Sequence, residues 1–386
     1  MNPDTLAKPT RAQQEWHDME VGMFIHFDLN TWMRQHWTHR EYDEWPSPSV
    51  FNPTQLDTDQ WLETAQAMGA KYAVLTATHG TGFMLWQSDA YPYGVKQSPW
   101  RGGKGDVVGD FVASCRKYGI QPGLYSHMCV NGYWRVDHPG RVNEGKGGDP
   151  EKQKAYATAR TKALRELWGN YGPLFEIWFD GGDPGQDITG VDVVGLLEEL
   201  QSDAVLFQGP DQLQNVIRWV GNERGEALYP NWSTAHEGSA EHGWTEKKLS
   251  GDPDGALWVP AECDVTIREH NWHWAPDTED SLFSLDHLVG LYYRSVGRNS
   301  NLLLNVSPNR DGLIPDGDVQ RLREFDHEIR RRFPADVAST HGQGELVELE
   351  LDGSQQVNHV VIMEEISHGE RILEYVVEAR TSDGGW

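Results

Sequence analysis

The chain has 386 residues, enough for about two or three average domains or for one large barrel with a small appendage. It carries 33 Lys and Arg against 59 Asp and Glu, a formal net charge of −26. This charge disfavours binding to nucleic acid or to an anionic membrane surface, because both are negatively charged themselves. Hydrophobic residues make up 38% of the chain and charged residues 24%, which is typical of a globular protein and argues against disorder.

Targeting and cysteine signals are weak. No apolar run reaches the roughly 18 residues needed to span a bilayer. The first residues lack the basic and apolar regions of a signal peptide, so we expect a cytoplasmic protein, or a secreted or periplasmic one if a signal peptide has been removed. Cys115, Cys129 and Cys263 have no CxxC spacing and are odd in number, which argues against a disulfide framework or a zinc site. The 17 Trp favour a carbohydrate protein, since flat aromatic faces stack on sugar rings.

Short apolar runs alternate with longer stretches of helical period. The predicted strands are Gly22–Phe27, Lys71–Thr76, Gln121–Tyr125, Leu174–Phe179, Ala204–Phe207, Ile217–Val220, Leu257–Val259 and Asn301–Val306. Most are continuous rather than alternating, as expected for strands buried on both faces. The predicted helices are Thr58–Met68, Asp106–Tyr118, Glu151–Asn170, Val191–Gln201, Ser281–Val296 and Asp316–Arg332, with Thr58 and Asp106 at N-cap positions. Eight strands with intervening helices predict an α/β fold, a distorted (β/α)8-like barrel.

The pattern changes near Pro334. Glu345–Leu351 alternates with period two, and the strand-like runs Val357–Met363 and Ile372–Ala379 follow. We therefore predict a catalytic barrel domain at residues 1–335. A short C-terminal antiparallel β segment at residues 336–386 would form a partial β-sandwich, which we expect to be incomplete.

Polar side chains follow the predicted strands where each strand ends. Because active sites of parallel barrels lie at the carboxyl ends of the strands, these side chains are expected to meet at one face. They are His26, His79, His127, Asp180, Glu223 and Glu262. A histidine at a strand end is more often a structural group, and a carboxylate there often caps a helix. It is their convergence on one face that predicts a site.

Asp180 and Glu223 are the sharpest candidates. Asp180 ends a strongly apolar strand and precedes Gly-Gly, which lets another group approach closely, and Glu223 follows a later strand. Two carboxylates on different strands are what glycoside hydrolysis requires, one to attack or to activate water and one to protonate the leaving oxygen. No HxH, HExxH or DxD cluster is arranged with metal-ligand spacing, and no nucleotide-binding Gly-rich loop is present, so neither a metal nor an organic cofactor is expected.

Eight stretches of the sequence, spread over nearly the whole chain and in the same order, match the motifs of one enzyme family. The matching stretches include Gly22-Met-Phe-Ile-His-Phe, Glu44-Trp, Phe51-Asn-Pro-Thr, Gly69-Ala-Lys-Tyr-Ala-Val-Leu-Thr-Ala, Ser98-Pro-Trp-Arg-Gly-Gly-Lys-Gly-Asp-Val-Val, Tyr171-Gly-Pro-Leu-Phe-Glu-Ile-Trp-Phe-Asp-Gly, Trp258-Val-Pro-Ala-Glu-Cys-Asp-Val-Thr-Ile-Arg and Ser295-Val-Gly-Arg-Asn-Ser-Asn-Leu-Leu-Leu-Asn-Val. With these stretches the chain resembles the α-L-fucosidases of glycoside hydrolase family 29. The imperfect barrel followed by a β-sandwich that is typical of this family agrees with the predicted elements.

The resemblance implies an exo-acting, retaining hydrolase that releases terminal α-L-fucose from oligosaccharides or glycoconjugates. It assigns Asp180 as the nucleophile and, in the branch with a Gly-Asn-Glu motif, Glu223 as the acid/base. The carboxyl groups of such a pair are expected about 5–6 Å apart. The implied sugar pocket consists of His26, Glu44, Trp45, His79 and Trp178. Glu262 and Arg268 also match a motif, and we interpret them as a structural ion pair.

Three departures from the family pattern affect the sugar pocket. The family's Lys-His-His-Asp-Gly-Phe is Thr78-His-Gly-Thr-Gly-Phe here, which replaces a histidine by Gly80 and an aspartate by Thr81. The glycine of His-Phe-Gly is Asp28, and Ser126-His-Met-Cys-Val replaces Leu-Ser-Pro-Trp-Asp. We expect that the space at Gly80 is filled either by a side chain from elsewhere, with His127 the nearest candidate by strand order, or by the substrate. The alternatives are the same chemistry on a related sugar such as an α-L-galactoside, or a non-catalytic sugar-binding relative.

Overall fold

A computed structural model describes residues 6–33, 46–236, 249–269 and 271–380. Its strands are β1 (Val21–Ile25), β2 (Tyr72–Thr78), β3 (Gln121–Ser126), β4 (Val136–Asp137), β5 (Arg141–Val142), β6 (Glu176–Trp178), β7 (Val205–Phe207), β8 (Val216–Trp219), β9 (Thr234–Ala235), β10 (Leu257–Trp258), β11 (Ala261–Thr266) and β12 (Ser300–Asn305). Eight of them close a barrel in the order β1-β12-β11-β8-β7-β6-β3-β2. Every pair in this barrel is parallel. The predicted barrel is confirmed.

Helices surround the barrel. Those within the described ranges are α1 (Arg11–His17), α2 (Thr58–Ala67), α3 (Val107–Tyr118), α4 (Pro150–Gly169), α5 (Gln186–Thr189), α6 (Val193–Leu200), α7 (Leu285–Arg294) and α8 (Asp316–Arg332). The Asp106 carboxylate accepts from the Gly109 amide and caps α3, as predicted, whereas α2 is capped by Asp57 and not by Thr58. No helix in these ranges is both long and apolar enough to cross a membrane.

One barrel strand differs from the prediction. The predicted strand at Leu257–Val259 lies outside the barrel, where β10 pairs antiparallel with β9. The barrel strand is β11, which follows immediately and pairs with β8 and β12. It escaped the search for apolar runs because Glu262 and Asp264 are buried within it, at 0% and 3% exposure.

Helix α1 closes one end of the barrel. The Trp16 side chain is fully buried, and Asn301 Nδ2 of β12 donates to the Trp16 carbonyl at 2.7 Å. Gln13 Nε2 donates to the carbonyls of Val216 and Trp258, each at 2.9 Å. Because this helix covers the amino ends of the strands, access to the barrel interior is left at their carboxyl ends.

The barrel interior is filled by alternate residues of the strands. Phe24 of β1, Tyr125 of β3, Trp178 of β6 and Phe207 of β7 belong to one buried cluster inside the barrel. Since side chains alternate across a strand, the residue two positions after each inward-facing one points to the same side. Asp180 therefore stands above Trp178, at the open end.

The C-terminal segment is arranged differently from the barrel. Among the described residues 336–380, one 3-10 turn is formed at Ile366–His368 and no strands are paired. Apolar side chains of the three predicted strands are exposed: Leu346, Val361, Met363 and Val376. A strand is stabilised by its neighbours, and three short ones offer few partners. The Glu370 carboxylate contacts the barrel by accepting from Asn299 Nδ2 at 2.7 Å. The domain boundary at residues 335/336 stays a prediction.

Candidate active site

Asp180 lies directly after β6 and is held by the neighbouring strand. The hydroxyl of Tyr125, on β3, donates to Asp180 Oδ2 at 2.6 Å, and His127 Nε2 lies 3.5 Å from the same oxygen. Burial and then the Asp180 charge raise the pKa of Tyr125 well above its ordinary value, so the phenol keeps its proton and donates. The Asp180 side chain is 40% exposed, which leaves it accessible from the pocket.

Four imidazoles line the pocket beside this carboxylate. The His26 ring lies 5.5 Å from that of His79 and 5.2 Å from that of His273, and His79 lies 5.1 Å from His273 and 6.0 Å from His127. Burial lowers the pKa of His79 to about 4 and that of His26 well below its ordinary value. Both rings are therefore neutral at pH 7, and each can donate and accept one hydrogen bond. His26 Nδ1 already pairs with Asn305 Oδ1 at 2.8 Å.

Asp28 is a fully buried carboxylate behind the imidazoles. It accepts from the Asn30 amide at 2.7 Å and from Thr81 Oγ1 at 3.1 Å, and His273 Nε2 lies 3.0 Å from Oδ1. Burial alone would raise the pKa of Asp28, but the His273 imidazole and these hydrogen bonds outweigh it, so the pKa is lowered. Asp28 and Thr81, which both differ from the family pattern, are thus hydrogen-bonded to each other.

The floor of the pocket is aromatic. The Trp178 ring stacks on Phe207 at 3.9 Å between centroids and lies 5.4 Å from the ring of Tyr125. Below it, Trp178 Nε1 donates to Glu262 Oε2 at 3.0 Å, and the Tyr72 hydroxyl donates to Glu262 Oε1 at 2.6 Å. Burial raises the pKa of Glu262 to about 7 and that of its neighbour Glu176 well above its ordinary value. A buried carboxyl pair that retains a proton therefore supports the floor.

The predicted ion pair between Glu262 and Arg268 is wrong. Glu262 faces the barrel interior, whereas Arg268 follows the end of β11 and makes a bidentate ion pair with Asp318 of α8. Both partners of that pair are buried, at 8% and 0% side-chain exposure. Because the chain leaves the barrel interior after the end of β11, Arg268 lies away from Glu262. Glu262 instead pairs with the carboxyl group of Glu176.

Glu223 lies on the exposed loop after β8. Trp272 Nε1 is 3.3 Å from Glu223 Oε2, and the Trp272 ring packs 5.0 Å from the ring of His26. This tryptophan therefore connects Glu223 to the imidazole cluster. Glu226, a nearby carboxylate, is paired with Arg294 of α7 at 2.8 Å.

A buried acid that sequence reasoning missed lies close to Glu223. Trp219 Nε1 donates to Asp264 Oδ1 at 2.6 Å. Burial raises the pKa of Asp264 well above its ordinary value, and the Glu223 charge adds to the shift. The signal that could have found it is alternation, because Asp264 stands two residues after Glu262 on one strand.

Five sequence-predicted residues at the ends of four strands come together at the open end of the barrel: His26, His79, His127, Trp178 and Asp180. Glu44 and Trp45 lie outside the described residues. His127 contacts Asp180, and the ring that packs against both His26 and His79 is His273. Sequence reasoning noted Asp28 only as a departure from the family pattern in the sugar pocket, and it missed Tyr125, Trp272 and His273 as site residues. Tyr125 could have been found two residues before His127, but the Trp272-His273 loop carries no spacing signal.

Comparison with known proteins places this geometry in a family. The Alpha-L-fucosidase family model matches residues 2–327. The chain is 38% identical over 328 residues to Alpha-L-fucosidase 1 of Arabidopsis thaliana, a match that covers 83% of this chain and 60% of the relative. A rice relative described as an alpha-L-fucosidase 1 is 39% identical over 333 residues, covering 84% of this chain and 59% of its own length. The matches thus span about three fifths of these curated relatives.

Solved structures agree. A Bacteroides thetaiotaomicron protein described as an alpha-L-fucosidase superposes with a TM-score of 0.86 at 40% identity, covering 94% of this chain and 85% of that one. A Ruminococcus gnavus family 29 fucosidase, solved in complex with fucose, superposes with a TM-score of 0.72 at 25% identity, covering 86% and 70%. With a family model matched over most of its length and relatives this similar, the chain belongs to the alpha-L-fucosidase family.

Proposed function

We propose that this protein is an exo-acting, retaining glycoside hydrolase that releases terminal α-L-fucose from oligosaccharides or glycoconjugates. The observation that carries the proposal is the Asp180 carboxylate, oriented by Tyr125 above the Trp178 ring and beside neutral imidazoles. An aromatic floor with polar walls suits a sugar, which has an apolar face and a rim of hydroxyls. Family membership and the fucose complex of the R. gnavus relative support the choice of sugar.

The reaction takes two displacements. Asp180 attacks the anomeric carbon and forms a glycosyl ester, while Glu223 donates its proton to the departing glycosidic oxygen. Glu223, now ionised, then takes a proton from water, and the water oxygen displaces Asp180 from the anomeric carbon. The Tyr125 hydroxyl stabilises the Asp180 carboxylate as it is released in this second step.

A second candidate substrate is an α-L-galactoside, which adds a hydroxyl at C6. Asp28 and Thr81 are hydrogen-bonded to each other at positions where the family pattern has glycine and aspartate. This polar pair favours the galactoside as the second candidate, because buried polar groups can hydrogen-bond an additional hydroxyl. A purely sugar-binding role would leave the oriented Asp180 without a use.

The decisive experiment compares nitrophenyl α-L-fucoside with nitrophenyl α-L-galactoside and identifies the first anomer released by NMR. We expect faster turnover of the fucoside and an α-configured product. Asp180→Ala should lower kcat by several orders of magnitude, and azide should restore part of the rate by entering the vacated space. The exposed Asp187→Ala on α5 is the matched control. An inverted product, or near-normal turnover of Asp180→Ala, would overturn the proposal.

The acid/base assignment has its own test. Glu223→Ala should slow hydrolysis of substrates with poor leaving groups far more than that of dinitrophenyl fucoside, which needs little protonation. Glu226→Ala, which breaks the ion pair with Arg294, is the matched control. A crystal structure should show the Asp180 and Glu223 carboxyl groups about 5–6 Å apart. A separation above about 10 Å would remove Glu223 from the role.

A further inference from the structure

Three potential metal ligands converge on one wall of the pocket. One oxygen of Asp28 and one ring nitrogen each of His79 and His273 all lie within 4.8 Å of one another. Among the described residues, no other group of three His, Cys, Asp or Glu side chains converges in this way. The ligands come from three distant parts of the chain, which explains why ligand spacing in the sequence did not indicate a metal site.

The geometry within this group is closer to coordination than to hydrogen bonding. His273 Nε2 lies 3.0 Å from Asp28 Oδ1, yet it makes no hydrogen bond, and the His273 side chain is 89% buried. In a tetrahedral zinc site the ligand atoms lie about 2.0–2.2 Å from the metal and so about 3.3–3.5 Å from each other. The His273 and Asp28 atoms lie 3.0 Å apart and the His79 nitrogen lies within 4.8 Å of both, so the three ligand atoms are near enough to share one metal ion.

The carboxylate is supported as metal ligands usually are. Asp28 Oδ2 accepts from Thr81 Oγ1, and Oδ1 accepts from the Asn30 amide. Such outer contacts fix a ligand's orientation and contribute to metal affinity. A set of two imidazoles and one carboxylate suits Zn²⁺, and it leaves a fourth coordination position open.

We propose that Asp28, His79 and His273 bind one Zn²⁺ ion in the pocket, and that this ion and the sugar exclude each other. The His79 ring stacks on Tyr125, whose hydroxyl donates a hydrogen bond to Asp180. His79 therefore lines the space that the sugar would occupy, so a metal ion bound to His79 and the sugar would exclude each other. Metal binding stands on the geometry alone, whereas the exclusion rests on the proposed function.

Binding is tested by titrating the intact, metal-free protein with ZnCl₂ in a calorimeter and by measuring bound zinc after gel filtration. We expect one Zn²⁺ per chain. His273→Gln and Asp28→Asn should each weaken binding by at least about tenfold. His327→Gln, an exposed histidine on α8, is the matched control and should bind as the unaltered protein does. Mg²⁺ should not compete, because it prefers oxygen ligands.

The activity arm uses nitrophenyl fucoside. Zn²⁺ should raise KM without changing kcat, and EDTA should reverse the effect; in His273→Gln the inhibition should require at least about tenfold more zinc. Equal zinc affinity in all variants, or no stoichiometric binding, overturns the site. Inhibition that lowers kcat alone overturns the exclusion. If the protein does not cleave fucosides, calorimetry still measures zinc binding, so failure of the proposed function and failure of the zinc site are distinguishable.

Discussion

The hydroxyl of Tyr125 determines how the Asp180 carboxylate is presented to the pocket. We expect Tyr125→Phe to lower kcat by about 10- to 100-fold, because a hydrogen bond to a charged group contributes about 1.5–3 kcal/mol and also aligns the Asp180 oxygen that we propose as the nucleophile. Steady-state kinetics on nitrophenyl fucoside is the measurement. Tyr156→Phe, which alters another buried tyrosine on α4, serves as the control. Unchanged kcat in Tyr125→Phe would contradict the orienting role.

The contact between Asp28 and Thr81 predicts a strong coupling between these two positions. Thr81→Asp alone would place a second carboxylate against the buried Asp28, and we expect it to lower the free energy of unfolding by about 3 kcal/mol or more. Asp28→Gly combined with Thr81→Asp restores the family pattern and should recover most of that loss. Urea unfolding of both single variants and the double variant measures the coupling. Additive effects would show that the two positions do not interact.

Site residues at strand ends could be predicted from the sequence, because an apolar run shows where a strand stops. His26, His79 and Asp180 were found in this way. His273 could not be found, since it reaches the pocket from a loop whose path depends on packing against His26 and His79. For the same reason the sequence did not indicate that His273, besides His127, packs against the ring of His79.

At the scale of elements, the seven-residue helix α1 is expected to contribute to the stability of the whole barrel. Gln13 Nε2 bonds two buried carbonyls, so Gln13→Ala should lower the free energy of unfolding by about 2–4 kcal/mol, while the neighbouring Gln14→Ala should change it little. Thr10→Ala removes the capping-box oxygen and should cost about 1 kcal/mol. Urea unfolding curves provide both values. A Gln13→Ala variant as stable as Gln14→Ala would mean that the two carbonyls find other partners.

Elements marked by helical periodicity or by a continuous apolar run were predictable, and a strand without such a run was not. Helix α8 was predicted with its observed bounds, Asp316–Arg332. Strand β11 was missed, since a strand with two buried carboxyl groups does not resemble an apolar run. Tertiary contacts such as the Glu262 contacts with Tyr72 and Trp178 compensate for this polarity, and a single sequence does not display them.

At the scale of the whole molecule, the buried carboxyl pair predicts a dependence of stability on pH. Folding raises the pKa of Glu262 from 4.5 to about 7, so the folded chain keeps a proton that the unfolded chain releases. The free energy of unfolding that this retained proton contributes is fully present below about pH 4.5 and is lost as the pH rises through about 7.

The measurement is the free energy of unfolding at pH 5 and pH 8. Glu262→Gln cannot ionise and should show a smaller fall between these values than the unaltered protein. Glu198→Gln, which changes an exposed residue on α6, should show the full fall. Equal falls in all three proteins would mean that the carboxyl pair does not titrate with folding.

The neutral rings of His26 and His79 differ from a lysine in that each can act as a hydrogen-bond donor or as an acceptor toward a sugar hydroxyl. A neutral imidazole can carry its proton on either nitrogen, so the same ring can offer a hydroxyl either a proton or a lone pair. Two sugars that differ only in the orientation of a hydroxyl could then be held by one unmoved backbone, and selectivity would be decided by the groups that fix each tautomer, such as Asn305 at His26.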